Sequence, residues 1–198
     1  MSYPNPDTSA VTLKGIDNLI QTIQLKVKDS LTWVNESFGL TDRIVESRNE
    51  KPYIYPAIFQ NGKDPISLMP SDEWGNFCFW TKDIEAKFDV KQPSPNRAVL
   101  NTYTVHCIFY TDIGKFTTIP YKTAKSYMVN DILNFFNTVK VAGILTPVRL
   151  IEDDITKVYE GFTLTEEDNK YGMYPKWSCR ITFELSFWEP CYSTNSYS

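Results

Sequence analysis

From Ser178 to Phe187 polar and apolar side chains alternate without a break. Ser178, Arg180, Thr182, Glu184 and Ser186 oppose Cys179, Ile181, Phe183, Leu185 and Phe187. Successive side chains of a strand point to opposite faces, so this segment predicts a long strand with one buried and one wet face. Two further segments alternate. Ile84, Ala86, Phe88 and Val90 interleave with Glu85, Lys87 and Asp89. Tyr103, Val105, Cys107 and Phe109 interleave with Thr102, Thr104, His106, Ile108 and Tyr110. The last set is the less polar one, which predicts a central strand covered on both faces.

Elsewhere the apolar spacing is helical. Ile16, Leu19, Ile20, Ile23 and Val27 form one stripe, with Thr12 placed to cap the start, Gly15 weakening the first turn, and Lys26 and Lys28 near the end. Met128, Ile132, Phe135, Phe136 and Val139 form a second stripe, predicting a helix over 123–139 that stops before Gly143. The run Leu31-Thr-Trp-Val fits either the end of the first helix or the start of a strand. Shorter strands are predicted at 43–47, 53–59 and 76–80. Pro56 assigns the second of these to a sheet edge or a bulge. Asn61-Gly62-Lys63-Asp64-Pro65 is turn chemistry, 62–75 an irregular excursion, and 92–97 a loop. After Pro147 an extended segment runs from Val148 to Tyr159, broken at Glu152-Asp153-Asp154, and 165–177 reads as a loop.

Helix, several strands, helix and two strands in that order lack βαβ alternation, which excludes a doubly wound design. The fold class predicted is α+β: a largely antiparallel sheet packed by two amphipathic helices in a single domain. Its parts are a polar arm over 1–11, the domain over 12–191, and a polar tail over 192–198.

Composition narrows the function classes. The chain has 198 residues, a net charge of −4, and 20 basic residues dispersed among 24 acidic ones. That balance disfavours non-specific attraction to nucleic acid or anionic lipid. No apolar stretch predicts a membrane span. The start, Met1-Ser-Tyr-Pro-Asn-Pro-Asp, predicts no secretory leader and hence synthesis and retention in the cytoplasm of the producing cell. Cys78, Cys107, Cys179 and Cys191 lack CxxC spacing and read as buried reduced thiols; pairing of Cys179 with Cys191 would need the chain to fold back at Pro190.

Catalytic patterns are scarce. The single histidine, His106, lies in mid-strand, and its neighbour Cys107 points to the other face, so His106 reads as a polar residue on one sheet face. Glu152-Asp153-Asp154, Glu166-Glu167-Asp168 and Asp72-Glu73 read as solvated surface; the first two lack the spacing of a calcium loop. No phosphate-binding glycine loop and no GxSxG turn occurs. The sequence therefore offers no catalytic, cofactor-binding or metal-ligating residue. Aromatic residues make up 15%, including five tryptophans at segment ends or in loops. They suit either the edge of a core or a subunit interface. Trp74, between Pro70 and Gly75, is the tryptophan expected to project outward.

The N-terminal amphipathic helix, the strand Tyr53-Ile-Tyr-Pro-Ala-Ile-Phe, the later helix and the closing strand Trp177-Ser-Cys-Arg-Ile-Thr-Phe-Glu-Leu-Ser-Phe resemble, in size and element order, the tail-terminator, tail-completion and neck-ring proteins of tailed bacteriophages. The likeness spans roughly residues 13–190, carries no motif, and finds no counterpart for the 62–75 and 163–177 loops. It implies a non-enzymatic α+β virion subunit that forms a homo-oligomeric ring at the tail end or head–tail junction. Its partners would be tail-tube and connector proteins, and genomic DNA would pass through its lumen without sequence-specific contact. Contacts are expected at Tyr3, Trp74 and Tyr192, with both termini ordering on neighbouring copies. The competing readings are a soluble ligand- or peptide-binding module with an aromatic groove between sheet and helix, and a carboxylate-based hydrolase with two converging acids.

Overall fold

A computed structural model describes residues 15–59, 64–90, 98–141 and 144–190, with side chains at all of these except 84–86, 88–90, 98, 144, 147–150, 189 and 190. The arm with Tyr3, the Thr12 cap, Asn61 to Lys63, the 92–97 loop, Gly143, Cys191 and the tail with Tyr192 lie outside the described residues. In chain order the elements are α1 (Gly15–Ser30), β1 (Glu36–Leu40), β2 (Asp42–Arg48), β3 (Lys51–Ile58), β4 (Ile66–Ser67), β5 (Phe77–Val90), β6 (Ala98–Asp112), α2 (Ile113–Phe116), α3 (Tyr121–Thr138), β7 (Ile144–Glu152), α4 (Ile155–Val158), α5 (Glu166–Lys170) and β8 (Lys176–Pro190).

The α+β class holds. A five-stranded sheet runs β1-β5-β6-β8-β7, antiparallel throughout except for the β1–β5 pair, and a separate three-stranded sheet runs β2-β3-β4. The strand over 102–110 is central, as expected, but it is covered on both faces only toward Ile108 and Tyr110, not along its whole length. The closing strand buries Cys179, Ile181, Phe183, Leu185 and Phe187 on one face. That face, with Trp80, Val105, Cys107 and Phe109 from β5 and β6, receives the stripes of α1 and α3. Ile16, Leu19, Ile20, Ile23 and Val27 are all buried there, each side chain contributing about 1.5–3 kcal/mol. Gln24 is buried beside them because its Nε2 donates to the carbonyl of Ser37 at 2.6 Å, which satisfies the amide without water.

The opposite face of the sheet is covered over one end only. There Phe77, Phe79, Ile108 and Tyr110 pack against Tyr53, Tyr55, Ala57 and Ile58 of the small sheet and Val158 and Tyr159 at α4. Two-sided burial at this end and one-sided burial at the other explain why the outer set of β6 changes from apolar Ile108 and Tyr110 to polar Thr102, Thr104 and His106.

Several elements differ from expectation. The segments at 76–80 and 84–90 are one strand, β5, because a bulge between Lys82 and Ala86 breaks the alternation without breaking the pairing. Residues 31–34 belong to neither helix nor strand; Leu31, Trp33 and Val34 are buried in the turn that joins α1 to β1. Pro56 stands in the middle strand of the small sheet, not at an edge. Its carbonyl accepts from Leu68 N, so its missing donor faces the side where β4 has only two residues. Beyond β4 the same side of β3 is closed by Thr163, whose Oγ1 accepts from Ile54 N at 3.0 Å and whose N donates to Ile54 O at 2.7 Å. Strand β7 includes Pro147 and ends at Glu152, so 155–158 is a helical turn and not part of an extended segment. Within 165–177 a short helix forms because Thr165 and Asp168 make a capping box. Asp168 is consequently buried, against its expected place on a solvated surface.

Candidate functional site

The uncovered end of the sheet's outer face forms the floor of a cleft of about 760 Å³. Hydroxyl side chains from two adjacent strands line it, Thr81 of β5 with Thr102 and Thr104 of β6, and Glu184 stands beside them on β8. The register puts Thr81, His106 and Thr182 in one cross-strand row. The β5 bulge, with four residue steps against two on β6 between Lys82↔Val105 and Ala86↔Tyr103, brings Asp83 over the same row.

His106 is the centre of this cleft, and its ring is almost wholly enclosed, with a side-chain exposure of 6%. Nδ1 lies 3.0 Å from Thr182 Oγ1, and Nε2 lies 3.0 Å from Asp83 Oδ1. Arg180 Nη2 also reaches Nε2, at 2.9 Å. The same guanidinium donates from Nη1 to Lys157 O at 3.3 Å and faces Glu160 at 3.7 Å. Burial holds the imidazole below its ordinary pKa of 6.5; the hydrogen bond that a protonated ring gives to the Asp83 carboxylate opposes that displacement, and the Arg180 charge adds to it. The net effect favours the neutral ring. The Asp83 contact is a hydrogen bond only where Nε2 carries a proton; the Arg180 contact, because a guanidinium has no lone pair to offer, is one only where Nε2 is bare and the ring proton sits on Nδ1, toward Thr182. In that tautomer the imidazole cannot take a proton from the Thr182 hydroxyl, although Thr182, His106 and Asp83 stand in the linear order of a nucleophile, base and carboxylate.

The reading of His106 as an ordinary polar residue on a sheet face thus omitted its partners. Arg180 and Thr182 were visible on the wet face of the closing strand, and Thr104 and His106 on the matching face of the central one. Nothing in the sequence supplied the register that joins them, and the bulge that aims Asp83 interrupts the pattern that would have revealed it.

Of the three interface residues named from sequence, Trp74 alone falls among the described residues; Tyr3 and Tyr192 lie outside them. Trp74 does not project outward: it is buried, edge-on to Phe38 with ring centroids 5.4 Å apart, in the second core. The loop that carries it turns inward at Gly75, whose φ of +69° a side chain would strain and whose Cβ would fall 2.8 Å from Asn35 Oδ1. Trp33, Trp80 and Trp177 are also buried, and Trp80 sits at mid-sheet under the helices, whereas Trp188, at the end of β8, is 47% exposed. The layer between the sheet and the helices, where an aromatic groove was expected, is filled by Trp80, Phe136 and Phe183 in mutual ring contact.

Large exposed apolar side chains gather elsewhere. Ile113 N donates to Pro175 O at 3.2 Å and the Tyr121 and Tyr174 rings lie 5.2 Å apart, so α2, the start of α3 and the segment before β8 run side by side. Phe116, Ile119, Met173 and Tyr174 stand exposed on these segments, Tyr174 at 77%. Among the described residues no group of three or more His, Cys, Asp or Glu side chains is placed to hold a metal ion, and no helix is long and apolar enough to cross a membrane. No protein-family model matches the chain, and no curated protein matches it in sequence.

Proposed function

We propose that this chain is a non-enzymatic structural subunit of a phage particle, closing into a homo-oligomeric ring at the tail end or the head–tail junction as a tail terminator or neck protein. The observation that carries the reading is the exposed apolar end formed by Phe116, Ile119, Met173 and Tyr174. Four large apolar side chains on adjoining segments cost solvation unless a partner covers them, and such clusters mark protein–protein contacts. The two outer strands of the main sheet, β1 and β7, each have one edge without a strand neighbour among the described residues, a second resource for joining copies. In this reading one copy's apolar end meets the next copy head-to-tail, and the finished ring presents its faces to tail tube and connector while DNA passes through the lumen. The particle, assembled in the host cytoplasm, would be its location.

Light scattering and electron microscopy of the purified chain, alone and with tail tubes, test the proposal. Rings with rotational symmetry are expected, and the double substitution Phe116→Ser with Tyr174→Ser should disperse them. A wild-type protein that stays monomeric at high concentration and joins no tail tube overturns the reading.

A ligand-binding module is the second reading, favoured by the cleft around His106. Its lining is mainly charged and hydroxyl-bearing, with Phe162 as the one phenyl ring, so such a module would take a polar ligand.

A further inference from the structure

We propose that His106, Arg180 and Asp83 form a proton-operated switch on the cleft floor, in which protonation of the imidazole exchanges Arg180 for Asp83 as the partner of Nε2. Both groups stand within 3.0 Å of that nitrogen. A ring nitrogen presents either a lone pair or a proton, so the two contacts belong to different protonation states. In the neutral ring Nε2 accepts from Arg180. In the imidazolium Nε2–H donates to the Asp83 carboxylate, and the guanidinium, left beside a second cation, withdraws. Thr182 stays on Nδ1–H in both states and serves as the fixed point about which the exchange turns.

A place for the displaced guanidinium already exists. Lys157 O and the Glu160 carboxylate hold its other nitrogen at 3.3 and 3.7 Å, so it shifts toward α4 without losing all of its partners. Burial makes the exchange obligatory. With 6% of the His106 side chain exposed, water cannot stabilise an imidazolium there, and Asp83, half exposed and unencumbered by the sheet, supplies the only carboxylate in contact with the ring among the described residues.

The surrounding charges do not decide the outcome in advance. From β5, Lys82 and Lys87 face the cleft with Asp83; from β2, Asp42 and Arg43; from β8, Glu184 with Arg180; and from the turn after α4, Glu160. Glu184 is opposed by Lys87 at 3.9 Å. Four acids against four bases leave the balance to the two groups that touch the ring. The consequence for the cleft is a change of floor: guanidinium against imidazole in neutral solution, an imidazolium–carboxylate pair with the guanidinium moved to the α4 wall in acid.

The chain has a single histidine, so imidazole signals of the full-length protein need no assignment. Two-bond proton–nitrogen correlation spectra recorded from pH 8 to pH 5 test the switch. The expected result at pH 8 is the Nδ1–H tautomer, and on acidification the Arg180 guanidinium resonances shift with the same midpoint as the ring. Asp83→Asn should lower that midpoint and Arg180→Gln should raise it, each by about half a unit or more. An Nε2–H tautomer at pH 8 overturns the proposal, as does a midpoint that ignores both substitutions or moves the same way in both. Should Arg180→Gln fail to fold, the wild-type tautomer and the effect of Asp83→Asn decide the matter alone.

Discussion

Asn76 Oδ1 accepts the Thr111 hydroxyl at 2.7 Å and, on the same oxygen, the backbone N–H of Asp112 at 2.9 Å. Its Nδ2 donates to Trp33 O at 3.0 Å, and its main chain exchanges hydrogen bonds with Asn35. One buried amide therefore ties the α1–β1 turn to the start of β5 and the end of β6. Asn76→Ala leaves a buried carbonyl, a buried hydroxyl and an amide N–H unpaired and should cost about 2–4 kcal/mol. Urea unfolding of the variant checks this; a loss under about 1 kcal/mol would mean that the turn is held by its apolar residues instead.

The β2–β3 hairpin turns on Asn49 and Glu50, both left-handed, with φ of 51° and 62°. Two such residues make the mirror-image turn that suits twisted strands, and asparagine accepts the conformation where glutamate does not. Glu50→Gly should stabilise the protein by about 0.5–1 kcal/mol, the relief of strain exceeding the added freedom of the unfolded chain. A raised melting temperature confirms it, and a lowered one contradicts the turn geometry.

His106 makes stability depend on pH below neutrality. Burial lowers its folded pKa beneath the 6.5 of the unfolded chain. Above 6.5 neither state binds the proton and stability is flat. Below 6.5 the unfolded chain binds a proton that the native ring declines, so stability falls until the folded pKa is reached. Within that window the slope is at most about 1.4 kcal/mol per pH unit, the limit for one proton. Denaturation midpoints between pH 7.5 and pH 5.5 should decline for the wild type, and His106→Asn should flatten the decline. Equal slopes would remove His106 as the cause.

Cys78, Cys107 and Cys179 are fully buried, and burial raises the pKa of the Cys107 and Cys179 thiols well above the ordinary range. All three should resist iodoacetamide at pH 8 in the native protein and react in urea. Peptide mapping by mass spectrometry checks each site, and native labelling at any of the three would show that the helices lift from the sheet.

Period and stripe were enough to place α1, α3, the central strand and the closing strand, because each buries one continuous face and its neighbours in sequence report that directly. Ile23 and Val27, or Phe183 and Leu185, could hardly sit elsewhere. Pro56 and Trp74 were misplaced for one shared reason: each is defined by a partner on another segment of the chain. Leu68 bonds the carbonyl of Pro56, Phe38 covers Trp74, and Tyr53 and Tyr110 belong to the layer that closes over that end of the sheet. The local capping box that buries Asp168 left the Thr165-to-Asp168 spacing as its only trace.

The order of apolar and polar positions determined, unaided, that this chain would make a one-sided sheet backed by two helices, since burial of a repeating face is a local property summed along the chain. Which half of the outer face stays wet, and which charges meet the lone imidazole there, depended on strand register, on a bulge in β5 and on where the small sheet comes to rest. Those are relations between segments distant in sequence, and only tertiary packing settles them.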